Sequence, residues 1–356
     1  MQHGIFRKDM QRDDKAGDIV GMLRDEDLNS LSARAYAVKT AVWGRRVALR
    51  GLVEMSNVCA KNCFYCGIRR GNTKVTRYRM TEDEVVAAAS WAAERRFGSV
   101  VLQAGEVRSE ENVRLVERVV SRIHERFGDG LGITLSLGEQ EESVYRRWMA
   151  AGAHRYLLRI ETSNPELYAS LHPSDHSWTE RRDCLRTLRG LGYIVGTGVM
   201  IGLPGQTVED LARDVAFFRD EGVDMIGMGP YIAHPDTPLA EAAPRVQSAR
   251  LLELSLRMIA AVRVTLPDVN IAATTALQAI DPEGREKGIL AGANVVMPNV
   301  TPGKYRGDYL LYPDKPCVAD RADECLGCLE RRVRSVGEAI AWGERGDPLH
   351  FRGRAR

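Results

Sequence analysis

Residues 50–66 read RGLVEMSNVCAKNCFYC. The first part, 51–55, is a short β-prone run, and it leads directly into Cys59, Cys63 and Cys66 in a CxxxCxxC spacing. A strand that delivers reactive side chains from its carboxyl end is the repeating unit of a parallel α/β barrel. The rest of the chain repeats it. Further β-prone runs fall at 99–103, 130–137, 156–161, 193–200, 224–228, 270–274 and 294–297, which with the first makes eight. Stretches with helical spacing lie between them at 82–96, 110–126, 143–151, 182–191, 208–221 and 250–266, and Thr81 with Glu84 forms a capping box for the first.

Eight strands alternating with helices over about 250 residues predict an α/β fold of the (β/α)8 TIM type. A doubly wound open sheet is the alternative. Amphipathic stretches at 19–24 and 28–42 predict helices ahead of the barrel. The expected division is an N-terminal helical segment 1–48, a barrel 49–300, and a C-terminal extension 301–356 that carries a second cysteine motif and packs on the barrel.

Composition narrows the function classes. The chain has 356 residues, 44% hydrophobic and 28% charged, which excludes wholesale disorder and fibrous repeats. With 50 Lys and Arg against 48 Asp and Glu, the net charge of +2 leaves no basic footprint for nucleic acid or anionic lipid. A small-molecule or protein partner is expected. The opening MQHGIFRKDM has no apolar signal core, and the most apolar stretch, 193–204, is too short to span a bilayer, so a cytoplasmic location without membrane contact is expected.

Side chains two apart on a strand share a face. Gln103 shares one with Gly105, Thr134 with Ser136, and Arg159 with Glu161. Turned outward against helices, Arg159 and Glu161 would be costly, so these faces are predicted to point inward and line a polar upper barrel. Other groups at strand ends are Met200, Pro230, Thr275 and Asn299.

The seven cysteines form two triplets plus Cys184. Three thiolates at Cys59, Cys63 and Cys66 are one short of a closed zinc or iron–sulfur site, and no His lies near in sequence to complete a tetrahedral zinc. A 4Fe–4S cluster on three cysteines leaves one iron open for a ligand from outside the protein. The second triplet, Cys317, Cys325 and Cys328, suits a second iron–sulfur cluster, 2Fe–2S or 4Fe–4S, a zinc ion, or redox thiols. Cys184, alone in a helical stretch, reads as a small buried hydrophobe.

CxxxCxxC with the aromatic Tyr65 before its last cysteine resembles the radical S-adenosylmethionine (SAM) superfamily. That resemblance implies a 4Fe–4S cluster, SAM bound at the open iron, and reductive cleavage to a 5′-deoxyadenosyl radical. It implies that Gly105 and Glu106, in the segment QAGE, receive the SAM amino group, that Glu161 and Arg181 hold its ribose and carboxylate, and that Met200, in GVMIG, lies against its adenine. Tyr65 and Ser136 belong to the same cofactor set.

Over nearly the whole chain the resemblance extends to the HydE-type maturases of FeFe-hydrogenase. It rests on CGIRR (66–70), RYRM (77–80), YLLR (156–159), GLPGQ (202–206), HPDTP (234–238), AATTA (272–276), ANVVMPN (293–299) and the late cysteine triplet. It implies a radical acting on a small sulfur-containing, amino-acid-like substrate on the way to the hydrogenase H-cluster. The positions lining the substrate cavity would be Gln103, Thr134, Arg159, Thr274, Thr275 and Tyr305, with Arg159 pairing with a substrate carboxylate. It also implies a reductant such as flavodoxin or ferredoxin, and other maturation proteins as partners. The pattern departs at Leu137, where such maturases are expected to carry Cys, at Ile160, where His is expected, and at Val107-Arg108. The alternatives are a HydE-like enzyme with a different thiol or amino-acid substrate, as in the related methylornithine synthases, and a non-catalytic iron–sulfur scaffold.

Overall fold

A computed structural model describes residues 18–242, 248–318 and 322–354; residues 1–17 of the N-terminal segment and 319–321 of the extension lie outside the described residues. The strands are β1 (Arg46–Ser56), β2 (Ser99–Ala104), β3 (Gly132–Ser136), β4 (Arg155–Leu157), β5 (Ile194–Thr197), β6 (Met200–Ile201), β7 (Met225–Pro230), β8 (Asn270–Ala273), β9 (Val295–Val296) and β10 (Ala339–Ile340). All pairings among them are parallel. The order β1-β2-β3-β4-β5-β7-β8-β9 closes on itself through β1 and β9, giving the expected eight-stranded barrel.

Helices at Glu82–Glu94, Glu110–Phe127, Glu142–Ala150, Trp178–Gly190, Val208–Asp220 and Ser248–Thr265 surround it, each within a few residues of its predicted place. Thr81 and Glu84 form the capping box as expected. Residues 18–24 are helical and Leu28–Trp43 forms the long helix ahead of the barrel.

The fourth run was expected to pair through 161, but its ladder stops at Leu157. The reason is local. The Thr197 hydroxyl accepts from the Ile160 amide at 3.0 Å and donates to the Leu158 carbonyl at 2.8 Å, so a side chain replaces one rung. Pairing resumes when the Glu161 amide donates to Gly198.

Register settles which faces point inward. The space where a Cβ of Gly51 would stand is bounded by Ala92 and Phe97 of the helical layer, so Arg50, Leu52 and Glu54 face the barrel interior. Through the ladder Glu54 stands level with Gln103 and Ser136, and Leu52 with Val101, Thr134 and Arg155. Arg155 shares its face with Arg159 and Glu161. The predicted inward orientation holds. Leu137 and Ile160, one step out of phase, are fully buried in the apolar layer outside the strands, where Leu137 borders Met55, Ala104 and Val116. Cys184 is half-buried, its thiol 3.9 Å from the Gln140 carbonyl.

Sequence reading missed how the chain beyond the eighth strand closes both barrel ends. At the carboxyl end Asn57 donates to the Asp308 carbonyl at 2.6 Å, the Gly67 amide donates to Leu311, and Lys315 reaches in to pair with Glu54. At the amino end β10 pairs with β1, and residues 345–347 cross beneath the strands. There Arg155 donates to the Arg345 carbonyl and pairs with Asp347, while Arg50 and Asn270 donate to the Gly346 carbonyl. Both guanidiniums are buried, and against its own burial the Asp347 carboxyl is held far below the usual range by the neighbouring His154 ring and by the Arg155 and Arg345 guanidiniums.

Removing one partner of such a pair strands the other. We expect Asp347→Ala to cost about 3 kcal/mol of folding stability, with Arg155 left buried and uncompensated. Chemical denaturation checks this, and a loss of about 1 kcal/mol or less would mean that the floor closure carries no weight.

Candidate active site

The cysteine loop leaves β1 and is clamped from behind by Arg77. One guanidinium donates to four carbonyls, those of Asn57 at 2.6 Å, Ile68 at 2.8 Å, Arg69 at 2.7 Å and Asn72 at 3.0 Å. From the β2 side the Ala60 amide donates to the Glu106 carbonyl and the Glu106 amide points at the Cys59 sulfur, 3.4 Å away. The loop lies so close to Gly105 that a Cβ there would stand 2.3 Å from the Val58 carbonyl oxygen and 2.7 Å from the Cys59 Cβ. Glycine is required by that approach.

Burial pushes the Cys63 thiol up to about 12, and Cys66 rises too, with the neighbouring thiols of the triplet adding to the effect. All three cysteines are carried on the one partly buried loop that follows β1. Among the described residues no group of three or more His, Cys, Asp or Glu side chains closes round a single metal ion. Three cysteines on one loop, with no fourth ligand beside them among the described residues, fit a 4Fe–4S cluster with one iron left for an outside group.

Glu161 follows β4 with φ of 67°, a left-handed conformation uncommon for a residue with a side chain. It is held there by bonds on both sides, its amide to Gly198 and its carbonyl from Met200. Strain of this kind persists where the surroundings over-determine it. Its carboxylate pairs with Arg159 at 3.2 Å, and Arg159 also donates to the Val199 carbonyl at 3.0 Å.

Arg181 arrives from helix Trp178–Gly190, buried, and donates to the Arg159 carbonyl at 3.1 Å. Its main counterion is Glu139, 2.8 Å away, which sequence reading missed. The signal was present: Gly138-Glu139 after β3 repeats Gly105-Glu106 after β2. Lys61 of the cysteine loop and Arg108 both reach Glu139, at 2.7 and 2.8 Å, and Arg108 also meets Glu106 and Glu180. Burial and the facing Glu139 raise the Glu106 carboxyl. Glu139, though pushed up by burial, is held below the ordinary range by Arg181, Lys61 and Arg108.

Tyr65 and Met200 come together: Tyr65 packs on a small apolar cluster of Leu167, Leu171, Met200, Leu203 and Tyr231. Gln206 shapes the wall by accepting from the Gly202 and Leu203 amides and donating to the Met200 carbonyl.

Of the expected cavity residues, Gln103, Thr134 and Arg159 share the inner wall, and Ser136 stands beside Gln103 at its rim. The Thr134 hydroxyl is buried with no hydrogen-bond partner among the described residues. Thr274 donates to the Met228 carbonyl, and Thr275 accepts from Arg285. Tyr305 is a correction. Its hydroxyl is 3.0 Å from both Glu84 oxygens and its ring stacks on Tyr78, 4.6 Å between centroids, because the turn Gly303–Arg306 directs it to the outer helix. Gln103 instead donates to Tyr309 at 3.1 Å, beside Glu54 and Lys315, and Tyr312 is close enough to feel Arg285, Glu54 and Arg159.

The second triplet also converges. Cys317, Cys325 and Cys328 line a cavity of about 210 Å³ with Gln278, Arg285, Leu329 and Arg332.

A parallel barrel whose first strand ends in CxxxCxxC, with buried carboxylates and guanidiniums on the next strand ends, defines a radical SAM protein. The model of the Radical SAM superfamily matches residues 53–218. The chain is 44% identical over 326 residues to the [FeFe] hydrogenase maturase subunit HydE of Thermotoga maritima, covering 91% of each. It is 27% identical to a 3-methylornithine synthase of Methanosarcina acetivorans over 80% of this chain and 78% of that one. Among solved structures, methylornithine synthase (PylB) superposes with a TM-score of 0.77 at 23% identity over 92% of this chain and 94% of its own. The maturase HydG of Carboxydothermus hydrogenoformans gives 0.73 at 18% over 96% and 82%. The chain belongs to the radical SAM superfamily of enzymes, in its HydE-like branch.

The turn carrying Glu161 rests on Asp214, whose carboxylate accepts from the Ser163 amide at 2.6 Å. Burial lifts the Asp214 pKa to about 7. The folded state therefore keeps a proton that the unfolded chain loses near its ordinary value, so this contribution to stability is full below about pH 4 and is lost as pH rises through about 7. We expect Asp214→Asn to remove that dependence: thermal melts at pH 5 and pH 8 should differ less in the variant than in the parent by roughly 1–3 kcal/mol. Equal pH dependence in both would contradict the assignment.

Proposed function

We propose that this enzyme cleaves SAM reductively and uses the radical on a small sulfur-containing, amino-acid-like substrate, in the assembly of the FeFe-hydrogenase H-cluster. The observation that carries the reading is the barrel mouth, where Cys59, Cys63 and Cys66 open beside Arg159 and Glu161 on one inward face. When bound, the cluster and SAM supply a one-electron cleavage that yields a 5′-deoxyadenosyl radical.

The protein's own groups bind, orient and enclose. Glu161, an acceptor, suits ribose hydroxyls, and Arg181, a fork of donors, suits a carboxylate. Gly105 lets the cysteine loop lie against the strand end, and the carboxylate of Glu106 beside it suits an amino group. Arg159, about one-third exposed on the inner wall, suits a substrate carboxylate. Thr134, Gln103 and Tyr309 line the wall below the mouth. Chain segments crossing both barrel ends would limit the water that reaches a radical.

The identity of 44% along 91% of a HydE supports this substrate class. Leu137 and Ile160, which differ from the expected pattern, lie outside the barrel wall and leave the cavity side unchanged. A second cluster at Cys317, Cys325 and Cys328, an electron donor such as flavodoxin or ferredoxin, further maturation proteins as partners, a cytoplasmic location, and the division into 1–48, 49–300 and 301–356 belong to the same proposal. No described helix is long and apolar enough to cross a membrane.

Anaerobic assays of 5′-deoxyadenosine test it. Cys63→Ala should abolish production, and retained activity would contradict the cluster site. Arg159→Ala should keep substrate-independent cleavage within about threefold while weakening the affinity for a cysteine-derived substrate at least tenfold, about 1.4 kcal/mol. Unchanged affinity would remove Arg159 from the substrate site. Stimulation by a different amino acid or thiol, and not by cysteine-derived compounds, would move the enzyme out of hydrogenase maturation.

A further inference from the structure

We propose that Glu139 is a positioning residue, whose buried carboxylate couples the cysteine loop, through Lys61, to the SAM-anchoring guanidinium of Arg181. The inference rests on the reading of Arg181 given above. Four elements meet at this one side chain. Lys61 lies between Cys59 and Cys63, Arg108 follows β2, Glu139 follows β3, and Arg181 comes from helix Trp178–Gly190. The Glu139 side chain has no solvent exposure. A carboxylate there is tolerable only because cations surround it, and the cations are fixed in turn.

The geometry assigns each oxygen a task. Oε2 receives Lys61 at 2.7 Å and Arg108 at 2.8 Å, and Oε1 faces Arg181 Nε at 2.8 Å. NH1 donates to the Arg159 carbonyl while Glu139 meets Nε as a charge contact without a hydrogen bond, so one hydrogen bond and one buried ion pair hold the guanidinium. Its remaining edge, NH2, stands 4.0 Å from Glu106, beyond hydrogen-bond reach, with Tyr168 alongside. That edge is the one left to meet a carboxylate.

Glu106 cannot replace Glu139 in this role. It is 3.6 Å from Lys61 and 4.0 Å from Arg181, against 2.7 and 2.8 Å for Glu139. Without Glu139 the cysteine loop loses its charged tether and Arg181 loses its nearest counterion. The loop that would hold the cluster and the guanidinium that would hold the SAM carboxylate would then no longer share a common anchor.

The test uses the full-length protein, reconstituted with iron and sulfide and reduced anaerobically. SAM is titrated while the electron paramagnetic resonance spectrum of the cluster is followed. Glu139→Gln keeps the shape and removes the charge; it should load iron as the parent does and raise the SAM half-saturation at least tenfold. Lys61→Met should raise it about threefold alone and add nothing in the Glu139→Gln background, while Lys61→Arg restores parental affinity. A merely structural role would lower the melting temperature and leave the half-saturation in place. Iron-loaded Glu139→Gln with SAM affinity within twofold of the parent, or additive effects of the two substitutions, would overturn the proposal. If Glu139→Gln fails to load iron, Lys61→Met decides: threefold weaker SAM binding supports the coupling, and unchanged binding overturns it. A parent whose spectrum does not respond to SAM would overturn the cofactor reading and this proposal together.

Discussion

A charge on the inner wall of a parallel barrel must find its counterion inside the barrel or at one of its ends, because the walls pack on helices and give no route to water. Arg50, Glu54, Arg155, Arg159 and Glu161 all occupy inward positions here. Arg159 and Glu161 neutralise each other at the mouth. The counterions of Glu54 and Arg155 come from beyond the eighth strand: Lys315 enters from the carboxyl end and Asp347 from the amino end. The C-terminal chain is therefore part of the barrel's electrostatics. It also crosses both barrel ends, so the charge balance of the inner wall and the cover over its ends depend on the same segments.

The mouth repeats this logic on a smaller scale. Arg77 fixes the backbone of the cysteine loop through four carbonyls, and Gly105 lets that backbone lie against the next strand end. Charges then lock the loop sideways to β3 and the helix after β4 through Lys61, Glu139 and Arg181. The backbone that carries the three cysteines is thus tied on more than one side.

The barrel was legible because its signal is periodic: eight strand runs alternate with amphipathic helical stretches, six of them between the strands, and every strand end but the one at Pro230 carries a polar or sulfur residue. The inward faces followed from alternation alone. What stayed illegible depends on contacts far apart in the chain. Lys315 with Glu54 spans 261 positions and Arg155 with Asp347 spans 192. No local pattern announces such pairs. Tyr305 was misplaced for a related reason, since in a short irregular turn neither period applies, and a shift of four residues to Tyr309 changes the outer helix for the inner wall. Glu139 differs, because its Gly-Glu pair copies the one at 105–106 and could have been found by comparing successive strand ends.

The central claim is that Cys59, Cys63 and Cys66 hold a four-iron cluster whose fourth iron is left for SAM. Mössbauer spectroscopy of the anaerobically reconstituted, iron-57-labelled Cys317→Ala/Cys325→Ala/Cys328→Ala protein tests it most directly, since only the first triplet then remains. The account predicts a 4Fe–4S spectrum in which one iron out of four changes its isomer shift when SAM is added. A cluster that ignores SAM at all four irons, or a first triplet that binds zinc and no iron, would contradict it.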